Sequence, residues 1–191
     1  MNAVFERRVV AAAVARWWVV LPTVGLLLLI GGCSGDNPMT FQLTSSAFHD
    51  GEMIPANYSA DGADYSPPLA WSGQPPATAS LALICDDPDA PQSTWVHWVL
   101  FNLGGDVHEL PEHTPTDATL SNGAQQGKND FGKFGYGGPA PPRGKPHRYF
   151  LKMYALDAKL KLPAGATKEQ LLKAMQGHVL AEAHLMGKYQ R

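Results

Sequence analysis

Two short stretches of the sequence combine residue types that could bind a small ligand. They read Asp86-Asp87-Pro88-Asp89-Ala90-Pro91 with Trp95-Val96-His97-Trp98, and Tyr136-Gly137-Gly138-Pro139-Ala140-Pro141-Pro142 with His147-Arg148-Tyr149. Each opens with prolines, which fix the backbone φ, and then enters a segment of strand-like composition. Residues two apart on a strand share a face, so Trp95 is expected beside His97, and Tyr149 beside His147. Neighbouring strands would then form a pocket with two imidazoles, several carboxylates and an aromatic wall, which suits a small ligand with an anionic head group.

These two stretches resemble the signature motifs of the phosphatidylethanolamine-binding protein family, in particular its bacterial, Raf-kinase-inhibitor-like branch. The family pattern reads approximately DPDAP, a short gap, WxHW, and later GPxPPxGxHRY, and both parts occur here. The loop before His147 departs from the pattern by one extra residue. The resemblance extends over residues 40–191 through further family-like segments, which are Phe48-His49-Asp50-Gly51, Ile54-Pro55, Ser66-Pro67-Pro68-Leu69 and Gly187-Lys188-Tyr189.

The resemblance implies a mainly β fold, an antiparallel two-sheet β-sandwich with short peripheral and C-terminal helices. The residues favour the same class, because short apolar runs alternate with Pro, Gly, Asn and Asp, as is typical of antiparallel β-structure. The segment Val96–Phe101 is apolar on both faces and is therefore expected inside a sheet. The expected strands are Phe41–Thr44, Leu69–Trp71, Ser80–Cys85, Trp95–Leu103 and Tyr149–Leu156.

One region near the C-terminus has helical periodicity. Thr167 and Gln170 form a capping-box pattern, and Gly177 is expected to divide the region into two short helices. The polar, Gly-rich stretch 104–135 lacks such periodicity and precedes the second motif, so we expect it to wrap the rim of the pocket. The apolar positions with helical spacing are Leu171, Leu172, Met175 and Val179.

The histidines are the central candidates for contact with a ligand. A lone histidine in a strand is usually structural, but His97 and His147 each lie beside a proline-stiffened turn and an aromatic residue. A carboxylate next to His97 would fix its tautomer and raise its pKa, so that the imidazole offers a positive N–H to a phosphate. Backbone amides near glycine could donate as well. The candidate ligand-binding residues are Asp87, Trp95, His97, Tyr136, Gly138, Pro142, His147 and Tyr149.

The carboxylates of the first motif have two interpretations. Asp-Pro-Asp sequences form local turns through side-chain to backbone hydrogen bonds, which needs no ligand. The family resemblance instead implies that Asp87 lines the pocket and that Asp89 braces its wall. We group Asp89 with Pro91 and Arg148 as support for the pocket.

Three functions compete for this pocket. The first is a binding module for small anionic ligands, phosphate or phospholipid head groups, and the second is a protein-interaction module, such as a kinase or protease inhibitor that uses the pocket rim. The third is an enzyme, since two histidines with a carboxylate could hold a metal. No HExxH or GxSxG motif occurs, and the resemblance does not imply catalysis. We therefore expect a binding protein without enzymatic activity, cofactor or metal, and Cys85 is expected to be buried rather than nucleophilic.

The N-terminal residues have the layout of a bacterial lipoprotein signal. A basic start precedes fourteen uncharged residues from Trp17 to Ile30, and Ile30-Gly31-Gly32-Cys33 resembles a lipobox. An uncleaved membrane anchor is the alternative, although a spanning helix needs about 20 residues. We expect residues 1–32 to be a signal peptide, residues 33–39 to be a tether lipidated at Cys33, and residues 40–191 to be the family domain.

Lipidation at Cys33 would anchor the protein to a membrane of the cell envelope. Because Ser34 rather than Asp follows it, we expect the outer membrane facing the periplasm if the cell is Gram-negative. The whole chain has a net charge of −2. Segment 1–32 carries three arginines and one glutamate, so residues 33–191 have a net charge of −4. This charge does not suit a nucleic-acid partner. Lipidation would also leave Cys85 without a disulfide partner. The expected partners are a small anionic or phosphorylated ligand and the membrane, and a protein partner is left open.

Overall fold

The computed structural model describes residues 40–191, so the predictions for residues 1–39 (the signal peptide, the lipidated Cys33 and the tether) lie outside the described residues. In the described part, no helix is both long enough and apolar enough to cross a bilayer. A single 3-10 turn follows the first strand, at Ala56–Tyr58. The strands and the helix are β1 (Gln42–Thr44), β2 (Leu69–Ser72), β3 (Ser80–Asp87), β4 (Trp95–Gly104), β5 (Glu109–Leu110), β6 (Gln125–Gln126), β7 (His147–Leu156), α1 (Lys168–Ala174) and β8 (Val179–Tyr189).

The strands form two antiparallel sheets, as the sequence predicted. The smaller sheet has the order β1-β2-β5, and the larger has the order β6-β4-β3-β7-β8. The sheets pack face to face around a common hydrophobic core. Its large members include Leu43 and Trp71 from the small sheet and Leu83, Trp98 and Leu151 from the large one.

A second apolar cluster covers the other face of the large sheet. Helix α1 and the chain segment before it pack there, with Leu160 and Leu171 against Ile84 and Phe101. Strand β3 is buried along its whole length because both of its faces are covered. All five predicted strands are present, and the expected interior position of Val96–Phe101 is confirmed, since β4 pairs with β3 on one side and β6 on the other.

The C-terminal region departs from the prediction of two helices. The Thr167–Gln170 capping box is present and begins α1, but the chain reverses at Gly177, where φ is +81°. The residues after it form β8, which pairs with β7 from His147↔Tyr189 onward. The prediction of a second helix was wrong because pairing along the open edge of β7 outweighs the helical propensity of this Ala- and Leu-rich segment.

The segment 104–135 contributes β5 and β6 and is tied to the sheet by one buried glutamine. Gln126 Oε1 accepts a hydrogen bond from Trp98 Nε1 at 2.7 Å. Its Nε2 donates to the carbonyl oxygens of Pro115, at 2.7 Å, and Asp117, at 2.9 Å. This side chain therefore helps to fix the path of the loop as it approaches the second motif.

Candidate functional site

A cavity of about 210 Å³ opens where β3 ends and where β4 and β7 begin. The structure places seven of the predicted pocket residues around it, and these are Asp87, Pro91, Trp95, His97, Pro142, His147 and Tyr149. Four further lining residues were not predicted, and these are Ala90, Phe131, Ala140 and Pro141. The two sequence motifs thus meet at one site although they lie some 50 residues apart.

A β-bulge presents His97 to this cavity. Cys85 pairs with Trp98 and Asp86 pairs with Val96. One step along β3 therefore corresponds to two steps along β4, and His97 is the extra residue. A bulge locally redirects a strand and is frequent beside binding sites. It therefore allows Trp98 to enter the main core while its neighbour His97 faces the ligand cavity.

The imidazole of His97 is nearly fully buried and held by the second motif. Its Nδ1 lies 2.6 Å from the carbonyl oxygen of Gly137, and its ring meets the rings of Tyr149 and Phe131 edge-on, with centroids 5.1 and 5.4 Å away. Burial lowers the pKa of His97, against smaller opposing effects of the Gly137 hydrogen bond and nearby carboxylates. The carboxylate of Asp87 does favour the charged form, as expected, but the expected net rise of this pKa was wrong, because desolvation outweighs the charges around the ring.

The carboxylate of Asp87 pairs with His147 instead. His147 Nδ1 lies 2.8 Å from Asp87 Oδ2, and the other oxygen of Asp87 accepts the backbone N–H of Asp89 at 2.8 Å. Asp87 is only 4% exposed, so these bonds offset the cost of burying its charge. The first motif therefore supplies the group that orients the histidine of the second.

Asp89 and Arg148 brace the cavity from outside, as the resemblance implied. The guanidinium donates to both carboxylate oxygens, at 2.7 and 2.9 Å, and the backbone N–H of Arg148 adds a third bond. The Arg148 hydrogen bond lowers the pKa of Asp89 to about 2. This pair fixes the turn after β3 to the start of β7.

Tyr149 adds a hydroxyl group to the polar side chains that line the cavity. The residue is 1% exposed. Its hydroxyl makes no hydrogen bond of normal geometry among the described residues, but the Asp87 carboxylate lies near enough to attract its proton. Burial, and then the charge of nearby Asp87, raise its pKa, so the phenol stays protonated at neutral pH. A buried hydroxyl without a well-formed hydrogen bond carries a free-energy cost, which a ligand in this cavity could remove.

Two predicted residues do not contact the cavity. The hydroxyl of Tyr136 donates to the carbonyl oxygen of Tyr58 at 2.8 Å, and its ring packs on Trp98 in the core. The backbone N–H of Gly138, which we expected to donate to a ligand, donates to Asp64 Oδ1 at 2.6 Å. Both residues therefore shape the loop behind the cavity and do not line it.

The loop before the second motif does reach the rim. Asp130 binds Val96 through both main-chain and side-chain bonds, at 2.9 and 2.7 Å. The next residue, Phe131, lines the cavity and packs edge-on against Trp95, with centroids 5.5 Å apart. Nothing in the sequence distinguished Phe131 from the rest of an aperiodic loop, and only the general expectation of a wrapped rim pointed to this segment.

A larger, more open depression of about 560 Å³ lies on the other side of the proline wall. One of its two lining cations, Arg191, is paired with Asp61, and the other, Arg143, makes no ion pair among the described residues. None of the predicted site histidines lines this depression. Among residues 40–191, no three His, Cys, Asp or Glu side chains are arranged to hold a metal ion.

Lowering the pH from about 7.5 to about 5.5 is expected to destabilise the ligand-free protein through His97. Its pKa is lowered in the folded state, so the unfolded chain takes up the proton more readily below about pH 6.5. The contribution is present above that pH and is lost as the pH falls. Thermal unfolding in a phosphate-free buffer measures the loss.

The variant His97→Gln stays uncharged at both pH values and should show a smaller loss of stability. His178, which pairs with Asp157 on the surface, provides the matched control, and His178→Gln should behave like the parent protein. A loss of the same size in His97→Gln would contradict the assignment to His97.

Comparison with known proteins agrees with this architecture. The model of the phosphatidylethanolamine-binding protein family matches residues 44–190. A UPF0098 protein of Methanothermobacter thermautotrophicus is 53% identical over 149 residues, which cover 78% of this chain and 98% of that protein. A crystal structure of a phosphatidylethanolamine-binding protein homologue from Chlamydia trachomatis is 44% identical, with a TM-score of 0.73 and coverage of 80% and 98% of the two chains. Escherichia coli YbcL, described as a new member of the mammalian family, is 35% identical, with a TM-score of 0.74 and coverage of 79% and 98%. The chain therefore belongs to the phosphatidylethanolamine-binding protein family.

Proposed function

We propose that this protein binds small anionic ligands, phosphate or a phosphorylated head group, in the cavity between the ends of β3, β4 and β7. The observation that carries the proposal is that two imidazoles and a buried phenol line one largely apolar cavity. Its volume of about 210 Å³ is below the roughly 300–1,000 Å³ of drug-sized ligand sites. The cavity therefore suits a head group or a free anion and is too small for a whole lipid.

Binding without catalysis is part of the proposal. The free thiol nearest in sequence to the site, Cys85, is buried in β3, and burial raises its pKa strongly. A nucleophilic cysteine needs the opposite, a lowered pKa and partial exposure. Hydrogen bonds to Gly137 and Asp87 instead orient the rings of His97 and His147. This arrangement suits the recognition of a ligand.

A protein partner is a second candidate because of the cavity mouth. Trp95 and Phe131 are 38% and 40% exposed and form an edge-on pair there. Exposed aromatic residues beside a pocket are typical anchors of protein–protein interfaces. Such a function would need the rim, so it predicts that Trp95→Ala abolishes partner binding while orthophosphate binding persists.

The proposed function is tested by titrating the purified full-length protein with orthophosphate in a calorimeter. Saturable one-site binding, together with a rise in the unfolding temperature that depends on phosphate concentration, is the expected result. Native mass spectrometry of the protein as isolated identifies any anion that co-purifies with it. The absence of binding at both neutral and mildly acidic pH would refute the proposal.

We also propose that the protein is a lipid-anchored protein of the cell envelope. The sequence Ile30-Gly31-Gly32-Cys33 and the apolar segment before it support this. In Cys33→Ser, the lipid mass shift and lipoprotein processing should be lost, because the serine side chain lacks the thiol that receives the lipid. Mass spectrometry of membrane fractions measures both, and unchanged processing of the variant would disprove the anchor.

A further inference from the structure

The two imidazoles of the cavity are held in the same tautomer by different acceptors. His97 Nδ1 lies 2.6 Å from the carbonyl oxygen of Gly137, which can only accept a hydrogen bond. His147 Nδ1 lies 2.8 Å from a carboxylate oxygen of Asp87, which also accepts when ionised. A neutral imidazole carries its proton on one nitrogen and accepts at the other. Each ring therefore carries its proton on Nδ1 and leaves Nε2 as an acceptor.

These acceptors are available to a ligand. Neither Nε2 is hydrogen-bonded to any group of residues 40–191, and both rings line the cavity. The hydroxyl of Tyr149 is the one O–H donor of the lining side chains, and the indole of Trp95 adds an N–H donor. With neutral histidines, the lining side chains thus present two imidazole acceptor nitrogens beside the Asp87 carboxylate, and only these two donors.

The charges around the rings influence how readily they gain a second proton. Carboxylates of Asp87 on β3, Asp130 before the second motif and Asp64 after the 3-10 turn favour protonation of His97, but its burial outweighs them. His97 therefore resists a second proton, and its Nε2 requires a ligand that supplies the hydrogen of the bond. The groups around His147 are Asp87 and Asp89, with Lys145, Arg148 and Lys188 on the surface that adjoins its outer side.

We infer that the cavity selects oxyanions that carry a proton, namely hydrogen phosphate and the singly ionised form of phosphomonoesters, over sulfate and phosphodiesters. The inference rests on the proposed function and narrows its ligand class. A phosphomonoester has its second ionisation near pH 6, so a protonated form is accessible at neutral pH, and inorganic phosphate still carries one proton. Sulfate and phosphodiesters carry none at this pH.

The physical reason is the pairing of donors with acceptors. A P–OH group donates to an imidazole Nε2, whereas a bare anionic oxygen places one acceptor against another in a buried cavity. Binding sites built to hydrogen-bond a hydroxyl discriminate strongly against analogues that lack it, because their own buried polar groups are left unpaired. A ligand without a proton must instead draw one from solvent onto a histidine, and His97 resists this because it is buried.

Orthophosphate and sulfate provide the test, since they share charge and tetrahedral shape near pH 8. Calorimetry on the full-length protein at about pH 8 should give at least about tenfold tighter binding of orthophosphate. At about pH 5.5 the difference should narrow, because protonated imidazoles donate to either anion. Titrations in two buffers of different ionisation enthalpy should show that sulfate binding takes up more protons than phosphate binding.

The variant His97→Gln tests the assignment to this ring, because its amide N–H can donate at any pH. Its preference for phosphate over sulfate at about pH 8 should fall, and His147→Gln provides a second, independent variant. His178→Gln, from the surface His–Asp pair, should keep the preference. Equal affinity of the parent protein for both anions at about pH 8 would overturn the inference and leave the proposed function intact. Failure of both anions to bind at either pH would overturn the proposed function.

Discussion

Replacing His97 or His147 with alanine is expected to weaken orthophosphate binding at least tenfold. Each histidine offers a hydrogen bond to a charged ligand, and such a bond contributes about 1.5–3 kcal/mol, which corresponds to roughly ten- to hundredfold in affinity. Calorimetry on the purified variants measures the loss directly. The parent protein and both variants should bind more tightly as the pH falls through the histidine range, around 6.5, because a protonated imidazole both donates to the anion and attracts it.

The two variants should not be equivalent. His97→Ala removes a ring whose Nδ1 partner, the Gly137 carbonyl, can be hydrated in the space left behind. His147→Ala also leaves the buried carboxylate of Asp87 without its hydrogen-bond donor, and this poorly compensated charge repels an anion. We therefore expect His147→Ala to show the larger loss of binding and of thermal stability.

Two histidines outside the cavity serve as controls. His108 is exposed and hydrogen-bonds Gln74, and His113 is exposed and stacks on Tyr65. Alanine at either position should leave phosphate binding unchanged within a factor of about two. If all four alanine variants bound phosphate equally well, the two motifs would be scaffolding, and the protein-interaction function would become the better explanation.

Gly138→Ala is expected to lower the free energy of unfolding by about 3 kcal/mol. A Cβ at this position would lie 2.7 Å from the carbonyl oxygen of Tyr58, 2.8 Å from the carbonyl carbon of Ser59 and 2.6 Å from Asp64 Oδ1. Two of these atoms belong to the backbone, which cannot move aside cheaply. Overpacking of this kind typically costs about 1–3 kcal/mol and occasionally more.

Phosphate binding should decline in the same variant, because the displaced loop includes the Gly137 carbonyl that orients His97. Thermal unfolding and calorimetry measure the two effects. Gly104→Ala is the matched control, since its Cβ would meet closely only the exposed side chain of Asp106, which can rotate away. Asp64→Asn keeps an oxygen acceptor for the Gly138 N–H and should cost less than Gly138→Ala. A stable Gly138→Ala variant that binds phosphate normally would show that the close approach of this loop is not required.

The parts of the fold that the sequence predicted are those in which local pattern and global packing agree. The segment Val96–Phe101 of β4 is apolar on both faces because both faces are covered, so its composition alone revealed its interior position. The capping box of α1 is equally local. Strand β8 was missed because its residues favour helix, and only pairing with β7, which is distant along the chain, makes it a strand.

The sequence predicted most of the residues that line the site, but not which of them form hydrogen bonds with one another. The motifs named most of the lining residues, yet the partner of Asp87 depends on the three-dimensional approach of β3 to β7, and the outward turn of His97 depends on a bulge. Phe131 comes from a loop without periodicity. Tyr136 shares its motif with true lining residues, but its side chain enters the core, and adjacency in sequence does not determine which way a loop side chain turns.

The links between Asp87 and His147 and between Asp89 and Arg148 have a kinetic consequence. They join residues separated by about 60 positions, so the cavity is complete only when β3 and β7 have found each other. Contacts of such high sequence separation carry a loop-closure cost, so we expect them to form after the folding transition state, and interactions of that kind act mainly on the rate of unfolding. An anion held by these residues should therefore slow the opening of the domain and leave its rate of folding almost unchanged, so that occupancy of the cavity would set the lifetime of the native state.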